Sequence, residues 1–445
     1  AEKKDAGLSW TYDFTDIISG NAGIVCALLR GHELTGEAFM LQGALGAGEY
    51  LKANATVEKA GLSWGSAVGE LGRPYNGFSH GTAGIAWSLA KLAMATGEQK
   101  YMDAAMGGVK HLMAVALDDE KGLRWEKSPD EKSTVEGWCH GVSGTARLFM
   151  LMGAVTGDKA IADVAVKAAK WLSANYDPKQ DRFGSKFYSP SLCCGATGAG
   201  EFMLDLYTIT GDPAHLEYAR SVGDWLSRIA DRPKKGEACW SLTPVVSERY
   251  KVVMHPTSLM LGSAGHVCFL LRLAAQRAGV LNVPLVTPDK LGMGAPAGLR
   301  GAVVMFGPGS ERFRNPAIQL AAYRRIALVS IPDGDPARLT VLVKNRRLDS
   351  VALVVAPEFL DVNLNRKVID ALCRVDDDPF CDAMYGYLTA ETPEHVLAML
   401  DSMARVEAEG IGKNGLYLAV ASGTSDMLRY PKGPVHSAAF ARQGQ

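Results

Sequence analysis

The chain has 445 residues, of which 47% are hydrophobic and 21% are charged, and it carries a formal net charge of −1 at pH 7. These values are typical of a folded globular protein rather than a disordered one. The balance of 47 basic against 48 acidic residues gives no electrostatic reason to expect nucleic acid as a partner. No apolar run approaches the roughly 18 residues of a membrane span, so none is predicted.

A small-residue turn of the form Gly-x-x-Gly opens an apolar segment five times. The copies are Gly20–Gly23, Gly81–Gly84, Gly141–Gly144, Gly195–Gly198 and Gly262–Gly265. Successive copies begin 61, 60, 54 and 67 residues apart. The segments that follow, such as IAWSLAKLAM, are apolar on nearly all sides, as in a helix buried within a bundle. The spacing predicts a helical repeat of about sixty residues.

Two further markers complete each repeat. A Thr-Gly-Glu or Thr-Gly-Asp triplet occurs at 35–37, 96–98, 156–158 and 210–212. Its glycine predicts a left-handed cap that ends one helix, and its acidic residue begins the next, amphipathic helix. A tryptophan-bearing loop closes the unit, as in AGLSW at 60–64 and KGLRW at 121–125. Stacked hairpins of this kind form either an open solenoid or a closed α/α toroid.

The first and last parts of the chain depart from this pattern. The opening decamer AEKKDAGLSW matches the end of an outer helix, so we expect an N-terminally truncated helical domain over residues 1–280. It lacks the apolar core of a signal peptide. A Pro- and Gly-rich linker is predicted at 281–300. Residues 301–445 carry β-rich runs between helical patterns and predict a smaller α/β domain. The runs are AVVMF, RIALVSI, LTVLV, SVALVVA and LYLAVA.

Three of the five Gly turns are preceded by side chains that bind metals or move protons. These pairs are Ser79-His80, Cys139-His140 and Cys193-Cys194. If equivalent turns lie at one end of the bundle, the side chains meet there. Three thiolates are enough to hold zinc, with the fourth position open to water or substrate. The alternative is that the cysteines are inert small hydrophobic residues of the core.

The remaining cysteines are less informative. Cys26 and Cys268 lie within inner helices and are typical of core residues, while Cys239, in a tryptophan loop, is a rival metal ligand. Eight cysteines in a chain of this length, two of them adjacent, do not predict a disulfide scaffold. Reduced or metal-bound thiols indicate a reducing compartment, and we expect the protein to be cytoplasmic.

The ligand type narrows the reaction. Three thiolates give the site a net negative charge and make zinc a weaker Lewis acid than it is in the hydrolases, which use imidazole and carboxylate ligands. A substrate thiol would lose its proton at such a site yet remain nucleophilic. The ligand set therefore favours thiolate addition or alkylation over hydrolysis by water.

Four strings resemble the signature turns of the lanthionine synthetase C-like family. They are DIISGNAG (16–23), NGFSHG (76–81), WCHG (138–141) and LCCG (192–195). The resemblance covers about residues 10–275 and implies a zinc-centred α/α toroid. It also implies formation of a thioether by Michael addition of a cysteine thiol to dehydroalanine or dehydrobutyrine. Bacterial members cyclise peptides, and eukaryotic relatives add glutathione, so the implied partner is a dehydrated peptide or protein, with glutathione as one thiol donor.

The resemblance assigns roles by position. Cys139 matches the first zinc cysteine of the family and Cys193 the second, while Cys194 stands where most members have a histidine. His80 matches the catalytic histidine and Asp16 the acid/base aspartate. His80 would protonate the enolate that follows thiolate attack. The alternative for His80 is a core or capping histidine, and for Asp16 a helix cap.

Two further departures from the family pattern, at Val135 and in the number of repeats, affect these expectations. Val135 stands where many peptide cyclases have an arginine, four residues before the first zinc cysteine. His140, beside that cysteine, is expected to lie in its second shell and to hydrogen-bond a thiolate. Five Gly turns occur where the full toroid of the family has seven, in keeping with a truncated ring.

The C-terminal part faintly resembles another family. The stretch from Leu360 to Leu400 is similar to the first half of a gingipain-like, caspase-fold peptidase domain, and it ends before a His–Cys dyad is evident. An alternative function follows from this resemblance. The helical domain could be a non-catalytic, zinc-stabilised scaffold that presents peptides to a linked protease-like domain.

Overall fold

A computed structural model describes most of the chain. The described residues are 13–69, 72–180, 187, 189–241, 255–277, 280–281, 301–314, 327–339, 341, 350–355, 385–389, 417–422 and 439–441. They divide into two compact units. The first contains the helical repeats and the second contains the strands that follow them. Among the described residues, no helix combines the length and the apolar character needed to cross a membrane.

Helical hairpins build the first unit, as the repeat predicts. The helices are α1 Asn21–Thr35, α2 Ala38–Ala53, α3 Thr82–Thr96, α4 Gln99–Ala114, α5 Val142–Thr156, α6 Lys159–Asn175, α7 Ala196–Thr210, α8 Pro213–Ile229 and α9 Ser263–Arg277. The odd-numbered helices each follow a Gly turn and are called inner helices, and the even-numbered ones are called outer helices. α1 packs on α2, α3 on α4 and α5 on α6, while α1 and α5 both contact α3.

The burial of the helices follows their sequence patterns. The inner helix α3 is buried without a break from Thr82 to Ala90. The outer helix α6 buries only one face, at Ile161, Val164, Ala168 and Leu172. This three- and four-residue spacing is that of an amphipathic helix with one side in water. The hydrophobic core therefore lies around the inner helices.

The Thr-Gly-Glu/Asp triplets join inner to outer helices as predicted. Their glycines adopt the left-handed conformation, with φ of 73° at Gly36, 72° at Gly97, 70° at Gly157 and 73° at Gly211. In two of the repeats the acidic residue also caps the next helix through its side chain. Asp158 accepts a hydrogen bond from the Ala160 N–H, and Asp212 from the Ala214 N–H. Local chemistry thus fixes each connection.

The tryptophan-bearing segments are not simple loops, contrary to the prediction. Two of them are short antiparallel hairpins, formed by β1 Thr56–Glu58 with β2 Gly61–Ser63 and by β3 Leu117–Asp119 with β4 Gly122–Arg124. The indole N–H donates to the end of the preceding outer helix at 2.8 Å in each case, from Trp64 to Leu51, from Trp125 to Leu112 and from Trp240 to Leu226. Since a buried indole needs an acceptor, this bond ties the segment to its helix.

A buried ionic network joins three inner helices. Asp205 of α7 is fully buried, and its carboxylate lies 2.8 Å from the Arg147 guanidinium of α5 and 2.5 Å from that of Arg272 of α9. Glu201 of α7 also contacts Arg272. Charges in such a position are tolerated because each has an opposite partner. The network therefore fixes α5, α7 and α9 together on the core side.

Among the described residues, the second unit contains a seven-stranded sheet, in line with the predicted α/β domain. Its strands are β5 Val280–Leu281, β6 Gly301–Phe306, β7 Ala327–Ile331, β8 Ser350–Val355, β9 Tyr385–Thr389, β10 Tyr417–Ser422 and β11 Ala439–Ala441. The order is β11-β9-β10-β8-β6-β7-β5. The pairs from β9 to β7 are parallel, and the edge strands β11 and β5 are antiparallel to their neighbours.

One predicted strand is wrong. Within LTVLV, Leu339 and Val341 are helical, and the helix begins at Pro336. The Asp335 carboxylate accepts a hydrogen bond from the Ala337 N–H at 2.9 Å. A capping aspartate followed by proline starts a helix and here overrides the β-branched residues behind it. Most of the gingipain-like stretch lies outside the described residues, so that resemblance remains a prediction.

Candidate metal centre

The turns that open the inner helices lie side by side. Backbone hydrogen bonds join them in sequence, from the Ser79 N–H to the Cys139 carbonyl (2.9 Å), from the Cys139 N–H to the Cys193 carbonyl (3.0 Å) and from the Cys193 N–H to the Met260 carbonyl (2.8 Å). Residues that are about sixty positions apart in sequence thereby become neighbours. The convergence that the repeat requires for a common site is present.

Three cysteine side chains meet at this end of the bundle. The Sγ atoms of Cys139 and Cys194 are 3.5 Å apart, and those of Cys139, Cys193 and Cys194 all lie within 4.8 Å of one another. Two sulfurs on one zinc ion, each at about 2.3 Å, cannot be more than about 4.6 Å apart. The three thiols are thus close enough to bind one metal ion with little movement, and their half-buried positions leave an approach from solvent.

The thiols share their protons unequally. Hydrogen bonds from Cys193 and Cys194 lower the pKa of Cys139 to about 3. The hydrogen bond to Cys139 raises the pKa of Cys194 to about 12, and the same cause raises the pKa of Cys193. One thiolate in the cluster is therefore stabilised by hydrogen bonds from the other two thiols, and its charge opposes their ionisation. A divalent cation would reverse that second effect by compensating the charge.

His80 and Asp16 form a pair from two other turns. The His80 Nδ1 lies 2.7 Å from Asp16 Oδ2. The carboxylate is itself held by the Ser19 N–H, which donates to Oδ1 at 2.6 Å. The Asp16 side chain is only 2% exposed, while that of His80 is 34% exposed. A buried, fixed carboxylate therefore orients an imidazole that remains accessible.

His140, the residue after Cys139, contacts this pair through its ring. Its ring stacks on His80, with centroids 5.5 Å apart, and meets Tyr75 edge to face at 4.7 Å. Burial lowers the pKa of His140, with a smaller contribution from the nearby His80. The His140 Nδ1 is buried with no hydrogen-bond partner among the described residues, and the expected side-chain hydrogen bond to a thiolate stays a prediction. The His140 backbone N–H donates to Cys139.

Two glycines of the site were missed by sequence reasoning. Gly77 and Gly137 both lie four residues before a turn glycine. A Cβ on Gly77 would come within 2.6 Å of the Cys139 carbonyl, and one on Gly137 within 3.0 Å of the Cys194 Cα. Asp16 has the same place in the first turn, where its side chain reaches His80. This position thus faces the next turn, and aligning the repeats is the signal that reveals it.

Glu136 was also missed. It is 2% exposed, and it hydrogen-bonds Tyr176, whose pKa is raised mainly by burial. Its charge adds to the causes that raise the pKa of Cys194. A buried carboxylate three residues before Cys139 gave no signal in the sequence, because an isolated Glu is usually on the surface.

Three other described cysteines do not belong to the thiol cluster. Cys26 lies on α1 and Cys268 on α9, as expected. Cys239, expected as a rival ligand, belongs to a different group with Asp231 and His255. The backbone carbonyl of Val135 accepts a hydrogen bond from the Val142 N–H at 2.9 Å and helps to start α5.

Stacked helical hairpins with a thiol cluster where the inner helices begin define a helical repeat domain with a candidate metal centre. The chain belongs to the lanthionine synthetase C-like family, whose model matches residues 2–284. This confirms both the recognised family and the predicted fold class.

Individual relatives are more distant. The chain is 26% identical over 151 residues to the glutathione S-transferase LANCL1 of Danio rerio, a match covering 34% of this chain and about a third (35%) of that relative. A nisin cyclase structure has a TM-score of 0.44 and 19% identity, covering 60% of this chain and 64% of its own. The cellobiose 2-epimerase of Spirochaeta thermophila has a TM-score of 0.40 and 16% identity, covering 57% and 70%.

Proposed function

We propose that this protein forms thioethers by adding a cysteine thiol to a dehydroalanine or dehydrobutyrine residue of a peptide or protein. One observation carries the proposal: three thiols close enough for a single zinc ion lie on turns that are hydrogen-bonded to the turn with an accessible imidazole, which a buried carboxylate holds. Family membership supports the same chemistry. The reduced thiols of Cys139, Cys193, Cys194, Cys239 and Cys268 suit a reducing compartment, and we place the protein in the cytoplasm.

Cys139, Cys193 and Cys194 would hold the zinc ion. When bound, the ion supplies a nucleophilic thiolate by lowering the pKa of the substrate thiol. Three thiolates rather than two and a histidine place more negative charge around the ion, which favours an electron-rich sulfur. The absent arginine at Val135 leaves the acceptor to be positioned by other groups.

His80 is the proposed proton donor. As the C–S bond forms at the β-carbon, the electron pair of the double bond moves toward the α-carbon and carbonyl. Protonation at the α-carbon completes the addition of S–H across the alkene. Asp16, hydrogen-bonded to Nδ1, leaves Nε2 to carry the transferred proton and fixes the orientation of the ring. Asp16 thus acts as the positioning residue of the pair.

The family offers two kinds of thiol donor. The Danio rerio relative is named as a glutathione S-transferase and the structural neighbour as a nisin cyclase. Glutathione addition and peptide cyclisation use the same bond changes and differ only in the origin of the sulfur. We take the acceptor to be a dehydrated peptide or protein in both cases.

The test uses the full chain loaded with zinc and a dehydroalanine peptide. One reaction contains glutathione, and a second contains a peptide with its own cysteine. Mass spectrometry detects the glutathione adduct in the first case, and loss of a free thiol without mass change reports cyclisation in the second. We expect Cys193→Ala and His80→Gln to lose nearly all adduct formation. The matched control is Cys268→Ala, which removes a thiol of α9 outside the cluster.

The outcomes separate an enzyme from a scaffold. Equal rates in wild type, Cys193→Ala and His80→Gln, with the fold retained by circular dichroism, would exclude the enzymatic proposal. Zinc retained in His80→Gln together with lost activity would support it, because that variant leaves all three thiols in place. Zinc binding without turnover in wild type would favour the non-catalytic scaffold.

A further inference from the structure

A second group of metal-ligating side chains lies in the first unit, apart from the three thiols. It consists of Asp231, Cys239 and His255, whose ligand atoms all lie within 4.8 Å of one another. The His255 Nε2 is 2.9 Å from Asp231 Oδ2, and their side chains are 36% and 50% exposed. An ion could therefore reach the group directly from solvent.

The backbone beneath two of these side chains is fixed from both sides. Asp231 and Cys239 exchange a pair of backbone hydrogen bonds, of 2.8 and 3.0 Å. The next residue, Trp240, is anchored by its bond to the Leu226 carbonyl and packs edge to face on His266 at 5.0 Å. The thiol and the carboxylate are thus presented on a short antiparallel pair that holds them together before any ion binds.

We propose that Asp231, Cys239 and His255 form a second zinc-type site. One thiolate, one imidazole and one carboxylate supply three ligands of a tetrahedral ion, and water completes the fourth position. The sulfur and nitrogen ligands select zinc-like transition metals over magnesium or calcium, which prefer oxygen. Binding requires loss of the thiol proton and of any proton shared between His255 and Asp231, so the ion replaces their hydrogen bond.

The position of His255 gives this site a structural consequence. His255 directly precedes Pro256, whose carbonyl accepts the Ser263 N–H at 2.9 Å at the start of α9. The same turn contains Met260, whose carbonyl holds the N–H of Cys193. An ion on Asp231, Cys239 and His255 would fasten the fifth turn to the tryptophan segment. It would thereby stabilise the turn whose Met260 carbonyl accepts the backbone hydrogen bond of Cys193.

Metal content tests the proposal independently of any activity. The full chain is loaded with zinc and dialysed against a weak chelator, and zinc per chain is measured by inductively coupled plasma mass spectrometry. We expect two equivalents in wild type and in the control Cys268→Ser. Cys239→Ser and Asp231→Asn should each lose one equivalent. Should Cys239→Ser fail to fold by circular dichroism, His255→Gln takes its place.

Cobalt distinguishes the two sites. In Cys193→Ala/Cys194→Ala, which lacks the first centre, bound Co²⁺ should give a charge-transfer band of single-thiolate intensity, and adding Cys239→Ser should abolish it. Wild type and Cys239→Ser with the same zinc content would overturn the second site and leave the first untouched. If wild type binds one equivalent of zinc, and this equivalent is lost in Cys239→Ser but kept in the double variant, then only the second site binds zinc.

Discussion

Acid pH should weaken the helical unit through one buried histidine. His266 of α9 is 1% exposed, and its Nδ1 lies 2.8 Å from Thr197 Oγ1. The Thr197 hydroxyl donates its own proton to the Pro190 carbonyl at 2.6 Å, so Nδ1–H must be the donor to Thr197. Nε2 is then the unprotonated atom, buried with no partner among the described residues. Burial lowers the pKa of His266 from 6.5 to about 4.

The sign and size follow from linkage. Between pH 6.5 and about 4 the unfolded chain binds this proton and the folded chain does not. Stability is therefore complete above the unfolded pKa and falls as the pH drops toward the folded pKa. At pH 4 the loss in free energy of unfolding amounts to about 3 kcal/mol, a large part of the 5–15 kcal/mol typical of domains.

The assay is urea unfolding followed by tryptophan fluorescence at several pH values from 7.5 to 4. His266→Gln, which keeps a hydrogen-bond donor without the titration, is compared with wild type. All proteins are metal-free, because acid releases zinc from thiolates. Wild type should lose about 3 kcal/mol more than the variant, and the control His32→Gln should follow wild type. Curves for wild type and His266→Gln that stay parallel within about 0.5 kcal/mol would refute the reasoning.

Three further changes test other parts of the unit. Gly77→Ala places a Cβ 2.6 Å from the Cys139 carbonyl and should lower the free energy of unfolding by about 1–3 kcal/mol and weaken zinc binding. The control Gly46→Ala, whose Cβ meets nothing within 4 Å, should be neutral or stabilising in thermal unfolding. Asp205→Ala leaves two buried guanidinium groups without this carboxylate and should cost about 3–5 kcal/mol in urea unfolding; a cost below about 1 kcal/mol would contradict this. Asp16→Asn should slow adduct formation about 10²-fold with KM little changed, and a rate equal to wild type would count against its positioning role.

The sequence could predict the features that local chemistry decides. Each Gly turn, each left-handed cap such as Gly97 and each buried inner helix results from residues within one unit. The proximity of Cys139 to Cys193 and Cys194 could be inferred as well, because equivalent positions in stacked repeats lie next to each other. The strands of the second unit, such as β6 and β8, followed from β-branched runs.

Other features of the fold and the site could not be predicted, because they depend on contacts or on a competition of local signals that no single sequence pattern indicates. The group of Asp231, Cys239 and His255 forms because an antiparallel pair and a later turn come together. The ring contacts of His140 depend on Tyr75 from another turn. The helix at Leu339 shows a cap and a proline outweighing β propensity, a competition that a count of β-branched residues does not weigh.

Backbone hydrogen bonds between the turns allow the thiol cluster to form although the repeats differ in length. Cys139 is hydrogen-bonded to Cys193, and Cys193 to Met260, through their backbones. The position of each turn is therefore set by the adjacent turn rather than by the length of its own hairpin. Repeats that differ by up to thirteen residues, 54 against 67, can therefore deliver their side chains to one level. Outer helices and tryptophan segments can therefore differ in length between repeats without displacing the cysteines from one another.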